Sequence, residues 1–245
     1  MLTELDYLPD GLLQVEAREL YTILPGPTLI HLPGRRDLPL FVSILLHGNE
    51  DTGLKAMQTV LKKYQNTSLP RALSLFIGNI EAARQGVRRL ENQLDYNRVW
   101  SADADANAAE HRMTRKVVKI MMQRGVFASI DIHNNSGLNP HYACINRLDD
   151  TFLHLATMFS RIVVYFTNPK GVQSEAFAHL CPAVTLECGK PGGIGGIEHA
   201  ATFVEGALHL SSFPAHPVPK HDLSLFHSVA VVTVPEAISL SVGAS

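Results

Sequence analysis

Apolar residues fall along this chain in two rhythms: short unbroken runs, which suit strands covered on both faces, and stripes at helical spacing. Leu40-Phe41-Val42-Ser43-Ile44-Leu45-Leu46 is the first such run, and it stops at the breaker Gly48. From Asp51 to Tyr64, Leu54, Met57, Val60 and Leu61 recur at helical spacing, and Lys62 and Lys63 sit where the helix dipole favours cations. Leu73 to Gly78 then reads as a strand, 108–123 as a helix stopped by Gly125, and Val126 to Ile132 as a strand ending on His133. A helix at 149–160, a strand at 162–166, a short helix at 173–180, a strand at 183–187 and a helix at about 197–211 continue the series. This alternation predicts an α/β fold whose sheet is mixed, largely parallel and flanked by helices.

Other stretches are less regular. Residues 10–24 read as a surface helix, and Thr28 to Leu32 as an edge strand before the Pro33-Gly34 turn. The segment 79–108 is long, polar and poor in periodic apolar positions, which makes it functional or disordered. After Phe213 the chain turns Pro- and His-rich, and Val229 to Val234 reads as a strand of a separate, short C-terminal β element. The expected organisation is an α/β domain over 1–213, followed by a linker and β element over 214–245.

Composition narrows the function classes. With 245 residues, 46% of them hydrophobic, the chain can bury one sizeable core. A formal charge of −2, with Lys and Arg scattered, gives no basic stripe to follow phosphates, so nucleic acid is not expected as a partner. Cys144, Cys181 and Cys188 are odd in number and lack CxxC spacing, and the N-terminus does not follow a basic segment with an apolar one. Both features suggest a cytoplasmic protein. No apolar run approaches the roughly 20 residues that cross a bilayer, so no membrane partner is expected.

The candidate chemistry begins at His47-Gly48-Asn49-Glu50, where the first strand run ends. An imidazole and a carboxylate three residues apart in a turn project to one side and suit zinc. A catalytic zinc needs a third ligand and an open position, and His133 supplies an imidazole at another strand end. His47, His133 and Glu187 all fall at or just past strand carboxyl ends, where α/β sheets collect ligands. The competing reading makes them strand-end caps and solvated carboxylates, which leaves the clustering of polar groups without a reason. Asp131 shares a strand face with His133 and could orient it, or could form an ordinary ion pair. Asn134, Asn135 and Ser136 read first as turn formers. His141 and Tyr142 lie close enough to line a pocket, and Cys188 should point to the opposite face from Glu187.

Four motifs in order, His47-Gly48-Asn49-Glu50, Leu94-Asp95-Tyr96-Asn97-Arg98, Asp131-Ile132-His133-Asn134 and Thr185-Leu186-Glu187-Cys188-Gly189-Lys190, resemble the succinylglutamate desuccinylase and aspartoacylase family. The resemblance spans roughly 45–193 and implies a zinc carboxypeptidase-like fold with one zinc per chain. It implies His47, Glu50 and His133 as ligands, Glu187 as the catalytic carboxylate, and Asn97 and Arg98 as substrate contacts. By position it also implies Arg89, with Arg88 beside it, as the arginine on the reacting carbonyl. Tyr96 stands where the family usually has leucine, and Phe177 where aspartoacylase has an arginine before its catalytic glutamate. For the family's C-terminal β domain only the tail from about Val218 could serve.

Residue chemistry completes the expectation. Zinc acidifies water to a pKa of roughly 7, Glu187 takes its proton, Arg98 forks onto a substrate carboxylate, and Arg89 or Arg88 stabilises the oxyanion. The expected function is hydrolysis of an amide bond in a small carboxylate-bearing substrate, an N-acyl amino acid. Two alternatives stand beside it: a metallocarboxypeptidase acting on a peptide C-terminus, and a non-catalytic zinc or ligand-binding module. An intact Glu187 argues against the second, because binding zinc does not require a further, non-ligating carboxylate.

Overall fold

A computed structural model describes residues 1–101, 108–135, 137, 139–230, 232 and 234. Its centre is a nine-stranded sheet. The elements run β1 (Thr3–Leu5), β2 (Thr28–Leu32), β3 (Leu40–Ile44), α1 (Thr52–Lys62), β4 (Leu73–Ile77), α2 (Ile80–Gln85), α3 (Ala109–Arg124) and β5 (Ala128–His133). They continue with β6 (Tyr142–Ile145), α4 (Asp150–Phe159), β7 (Ile162–Tyr165), α5 (Gln173–Phe177), β8 (Ala183–Glu187), α6 (Ile194–His209) and β9 (Ser224–His227). The strand order is β1-β2-β4-β3-β5-β8-β6-β7-β9. Only the β2–β4 and β6–β8 pairs are antiparallel, so the sheet is mixed and largely parallel, as the sequence pattern predicts.

The central strands are apolar throughout because both faces are covered. Every residue of β3, β4 and β5 is buried. On one face α1 and α6 pack together, and an added Cβ on Gly53 of α1 would meet Ile44 and Ile132 of the sheet. On the other face Phe41 stacks on Phe177 of α5 at 4.2 Å between ring centroids, and Trp100 meets both Phe76 and Phe177 edge-on. Ser43, Asp131 and His133 share this second face, so the polar ends of β3 and β5 open toward α5 and the segment before Trp100.

Four expectations change. Residues 10–24 form no α-helix, only turns and a six-residue 3-10 helix at Ala17–Thr22. Gln58 of α1 donates to the carbonyls of Leu12 and Val15, so tertiary partners replace a helical ladder there. Thr28–Leu32 is an interior strand, because β1 pairs with it in parallel and takes the edge. The polar segment after 78 contains α2, capped by the Asn79 side chain on Ala82 N–H and closed by Gly86 at φ 67°. The C-terminal strand lies at Ser224–His227 and extends the main sheet beside β7, while Val229, Ala230, Val232 and Val234 are not in a strand. Val231 and Thr233 of that expected strand lie outside the described residues. β6 has no counterpart in the apolar pattern, because its four residues follow a loop-like Asn139-Pro140 and are too short to announce a strand.

Candidate metal centre and active-site cleft

The chain leaves β3 through Leu45, which adopts φ 53°, a conformation that costs a bulky residue free energy and that fully buried surroundings enforce here. Asn79 and Gly78 donate to the carbonyls of Leu45 and Ile44, which fixes this exit. Gly48 then passes so close to α2 that a Cβ would lie 2.2 Å from Ala82 C and Ala83 N, and its N–H donates to Arg88 O. The result is a tight turn that presents His47 and Glu50 at the end of the sheet.

Three ligand-type side chains meet there. His47, Glu50 and His133 are all buried, and one donor atom from each lies within 4.8 Å of the others. His47 Nδ1 is 2.8 Å from Glu50 Oε1, and His133 Nδ1 is 2.8 Å from Glu50 Oε2. The opposite ring nitrogens are also engaged: His47 Nε2 lies 3.0 Å from Asp95 Oδ1, and His133 Nε2 lies 2.7 Å from Asp131 Oδ2. A carboxylate on each Nε2 favours a proton on that nitrogen and leaves each Nδ1 facing Glu50, the arrangement of carboxylate–histidine–metal triads. Asp131 is itself fixed by the Ser43 hydroxyl at 2.6 Å, and Asp95 by Arg88 and the Asn97 N–H.

The charges are strongly coupled. Burial works to raise the Glu50 pKa, but His133 and His47 outweigh it and hold the carboxyl well below its usual range. Burial likewise works to lower the His133 pKa, and Asp131 and Glu50 together raise it well above the ordinary imidazole value. Asp95 is held low against its own burial by His47, Asn97 and Arg88. A cation placed among the Nδ1 atoms would replace protons there, so its binding would release protons.

Glu187 stands beside this group. It pairs in register with His133 on β5 and with Tyr142 on β6. Its Oε2 is buried and accepts no hydrogen bond from a described residue, and burial is the main reason its pKa is pushed up to about 7. His47, Glu50, His133 and Glu187 line a cavity of about 590 Å³ together with Arg88, Asn97 and Arg98.

The expected substrate contacts are placed unevenly. Arg98 is exposed at the cleft, donates to Asn97 O, and pairs with no carboxylate among the described residues. Asn97 is buried, with Oδ1 accepting from Gln173 N and Nδ2 lying 3.2 Å from His133 Nε2. Arg89 is not brought to the cleft: its guanidinium donates to the carbonyls of Leu90, Glu91 and Gln93. Its neighbour Arg88 lines the cleft instead, with Nη1 3.7 Å from Glu50 Oε1. The difference arises because the Gly48 N–H to Arg88 O bond pins the backbone at 88, so its side chain reaches Asp95 and the next one turns outward.

Asp95 orients His47 from inside the motif that carries Asn97 and Arg98, and its spacing of 48 residues from His47 leaves no local signal in the chain. Asn134 is more than a turn former, since its N–H donates to Glu50 and its amide to Thr52 Oγ1 and Gly189 O. Asn135 lines the cleft with neither amide atom hydrogen-bonded to a described residue. Ser136 lies outside the described residues. Tyr142 lines the cavity, while His141 stacks with Phe159 and His199 outside it. Cys188 is buried.

Residues 40–213 match the model of the succinylglutamate desuccinylase/aspartoacylase catalytic domain. Among solved structures, succinylglutamate desuccinylase from Chromobacterium violaceum superposes with a TM-score of 0.64 at 18% identity, over 83% of this chain and 73% of that one. The succinylglutamate desuccinylase of Vibrio parahaemolyticus gives 0.62 at 15% identity, over 84% and 66%. A product-bound ectoine utilization protein from Ruegeria pomeroyi gives 0.60 at 15% identity, over 81% and 64%. The chain thus spans about two thirds of the length of several of these structures. No curated protein sequence matches it.

Proposed function

The chain belongs to the succinylglutamate desuccinylase/aspartoacylase family, and from that premise we propose that it is a zinc-dependent hydrolase of an amide bond in a small carboxylate-bearing substrate, an N-acyl amino acid. The observation that supports this best is the pairing of two Nδ1 atoms on Glu50, with each Nε2 held by its own carboxylate. Two neutral imidazoles and one carboxylate are a donor set that fits zinc with a position left open. A zinc ion held by His47, Glu50 and His133 would supply Lewis acidity, polarising the amide carbonyl and acidifying water toward neutral pH.

The side chains supply the rest. Glu187 Oε2, which accepts no hydrogen bond from a described residue, takes a proton from the attacking water and returns it to the departing nitrogen as the C–N bond breaks. The water oxygen ends on the acyl carbon, so the products are an acid and an amine. Arg98 offers its fork to a substrate carboxylate, and Arg88, which also lines the cleft, offsets charge developing on the carbonyl oxygen. Asn97, which lines the cleft, can offer its Nδ2 amide to substrate. The three buried, unpaired cysteines suit a reducing compartment, and among the described residues no helix is long and apolar enough to cross a membrane.

The deciding experiment is Glu187→Gln, assayed on a panel of N-acyl amino acids beside metal analysis. The variant should keep one zinc per chain while kcat falls about 10² or more. Loss of zinc would make Glu187 a ligand, and unchanged turnover with zinc present would remove it from the mechanism. His133→Ala should lose most of the metal, because only two protein ligands remain.

A further inference from the structure

The cleft continues beyond the candidate ligands along one face of the sheet. Side chains two apart on a strand share a face, and cross-strand partners stand beside one another. His133, Glu187 and Tyr142 therefore form one row across β5, β8 and β6. The next row is Thr185, Cys144, Val164 and Phe226, across β8, β6, β7 and β9. Phe166 and Ser228, two residues beyond Val164 and Phe226, also line the cavity. Val163, the neighbour of Val164 in sequence, is fully buried on the opposite face.

The candidate ligands and Glu187 stand at one end of the cleft, and at the other end a group of apolar side chains lies beside Thr185 and Ser228. Cys144, Val164, Phe166 and Val172 form an apolar floor, and Phe226, 55% exposed, stands in the same row at the sheet edge. The Cys144 thiol belongs to this floor as a small neutral group, since burial and then Glu187 push its pKa up. The cations are also unequal. Arg88 is committed to Asp95 at 2.9 and 3.2 Å, whereas Arg98 has no carboxylate partner among the described residues. One guanidinium can fork onto one substrate carboxylate. A second carboxylate placed on the floor would lose its hydration against valine and phenylalanine and would face Glu187.

We infer that the substrate carries a single carboxylate, taken by Arg98, and an apolar group that lies on the floor of Cys144, Val164 and Phe166. This rests on the hydrolase reading and narrows it from N-acyl amino acids in general to apolar monocarboxylates. The apolar group can belong to the acyl chain or to the amino-acid side chain, since both present the same surface to the floor.

The test compares N-octanoylglycine and N-acetylleucine with N-acetylglycine and N-acetylaspartate on the zinc-loaded full chain. At least one apolar substrate should exceed N-acetylglycine in kcat/KM by about ten-fold or more, and N-acetylaspartate should not. Which of the two gains tells whether the floor takes the acyl chain or the amino-acid side chain. Val164→Asp should cost the favoured substrate at least about ten-fold more than it costs N-acetylglycine, and Phe166→Ala should shift the ratio the same way. Thermal unfolding would show that both variants are folded. A preference for N-acetylaspartate, or equal losses on all substrates, would overturn the inference. If nothing is hydrolysed, calorimetric titration still separates the two ideas. Tighter binding of N-octanoylglycine or N-acetylleucine than of N-acetylglycine, abolished by Val164→Asp, keeps the floor while the hydrolase reading fails; no difference in binding sinks the floor.

Discussion

Asp131 and Asp95 each bind the far side of an imidazole, and their work is to decide which ring nitrogen carries a proton. Asp131→Asn would offer an amide in place of the carboxylate and weaken that preference. Zinc affinity, measured by competition with a chelating dye, should fall about 10- to 100-fold in Asp131→Asn and in Asp95→Asn. Wild-type affinity in both would mean that the histidines are oriented by packing alone. The two neighbouring arginines give a second contrast. Arg88→Ala should lower kcat/KM by about 10² through lost charge stabilisation, well beyond the effect of Arg89→Ala, whose guanidinium serves local carbonyls. The reverse order would restore Arg89 as the reacting-carbonyl residue.

At the scale of elements, the turn after β3 and the short helix α2 form one unit. An added Cβ at Gly48 would press on the α2 backbone at Ala82 and Ala83, and backbone gives way less readily than a side-chain tip. Gly48→Ala should destabilise the fold by about 1–3 kcal/mol, read from denaturant unfolding. It should also weaken zinc binding, because Gly48 separates His47 from Glu50. Unchanged stability would show that α2 can slide. This unit also explains why the sequence pattern misses α2: its six residues are fewer than two helical turns, and what holds them is the Asn79 cap and the Gly48 contact, neither of which has a period. The stretch at 10–24 fails in the opposite sense. Its leucines at 12, 13, 20 and 24 are buried and helix-like in spacing, yet Gln58 of α1 takes the carbonyls a helix would have used.

For the molecule as a whole, two measurements couple stability to chemistry. Zinc that binds only the folded chain should raise its stability by about 2.7 kcal/mol at a hundredfold excess over Kd, seen as a higher Tm that chelation reverses. No shift would argue against a zinc centre. The second concerns His31, interior to the sheet, bonded to Ser74 Oγ at 2.8 Å and lying 3.3 Å from Glu4. Burial and then Arg124 lower its pKa below 6.5, and the opposing pull of Glu4 and Asp6 does not restore it. The unfolded chain therefore binds the proton more readily. This contribution is present above pH 6.5 and is lost as pH falls through that value toward the folded pKa. His31→Gln should flatten the decline in stability between about pH 7 and 5 in denaturant titrations. An unchanged slope would place the acid sensitivity elsewhere.

What the sequence determined by itself is the part that repeats or clusters locally. The buried runs at 40–46, 73–78, 126–132 and 183–187 announce the central strands because both faces are covered, and the interleaved helical stripes announce parallel connections. His47 and Glu50 are legible as a pair because three residues and a strand end bring them together, and His133 because it closes another strand. Only the tertiary structure decided that Asp95 reaches His47, that Arg88 rather than Arg89 enters the cleft, and that Cys144 and Val164 continue it. Those assignments depend on the antiparallel β6–β8 register and on a backbone pinned at Gly48, and contacts between residues tens of positions apart leave no periodic trace in the chain.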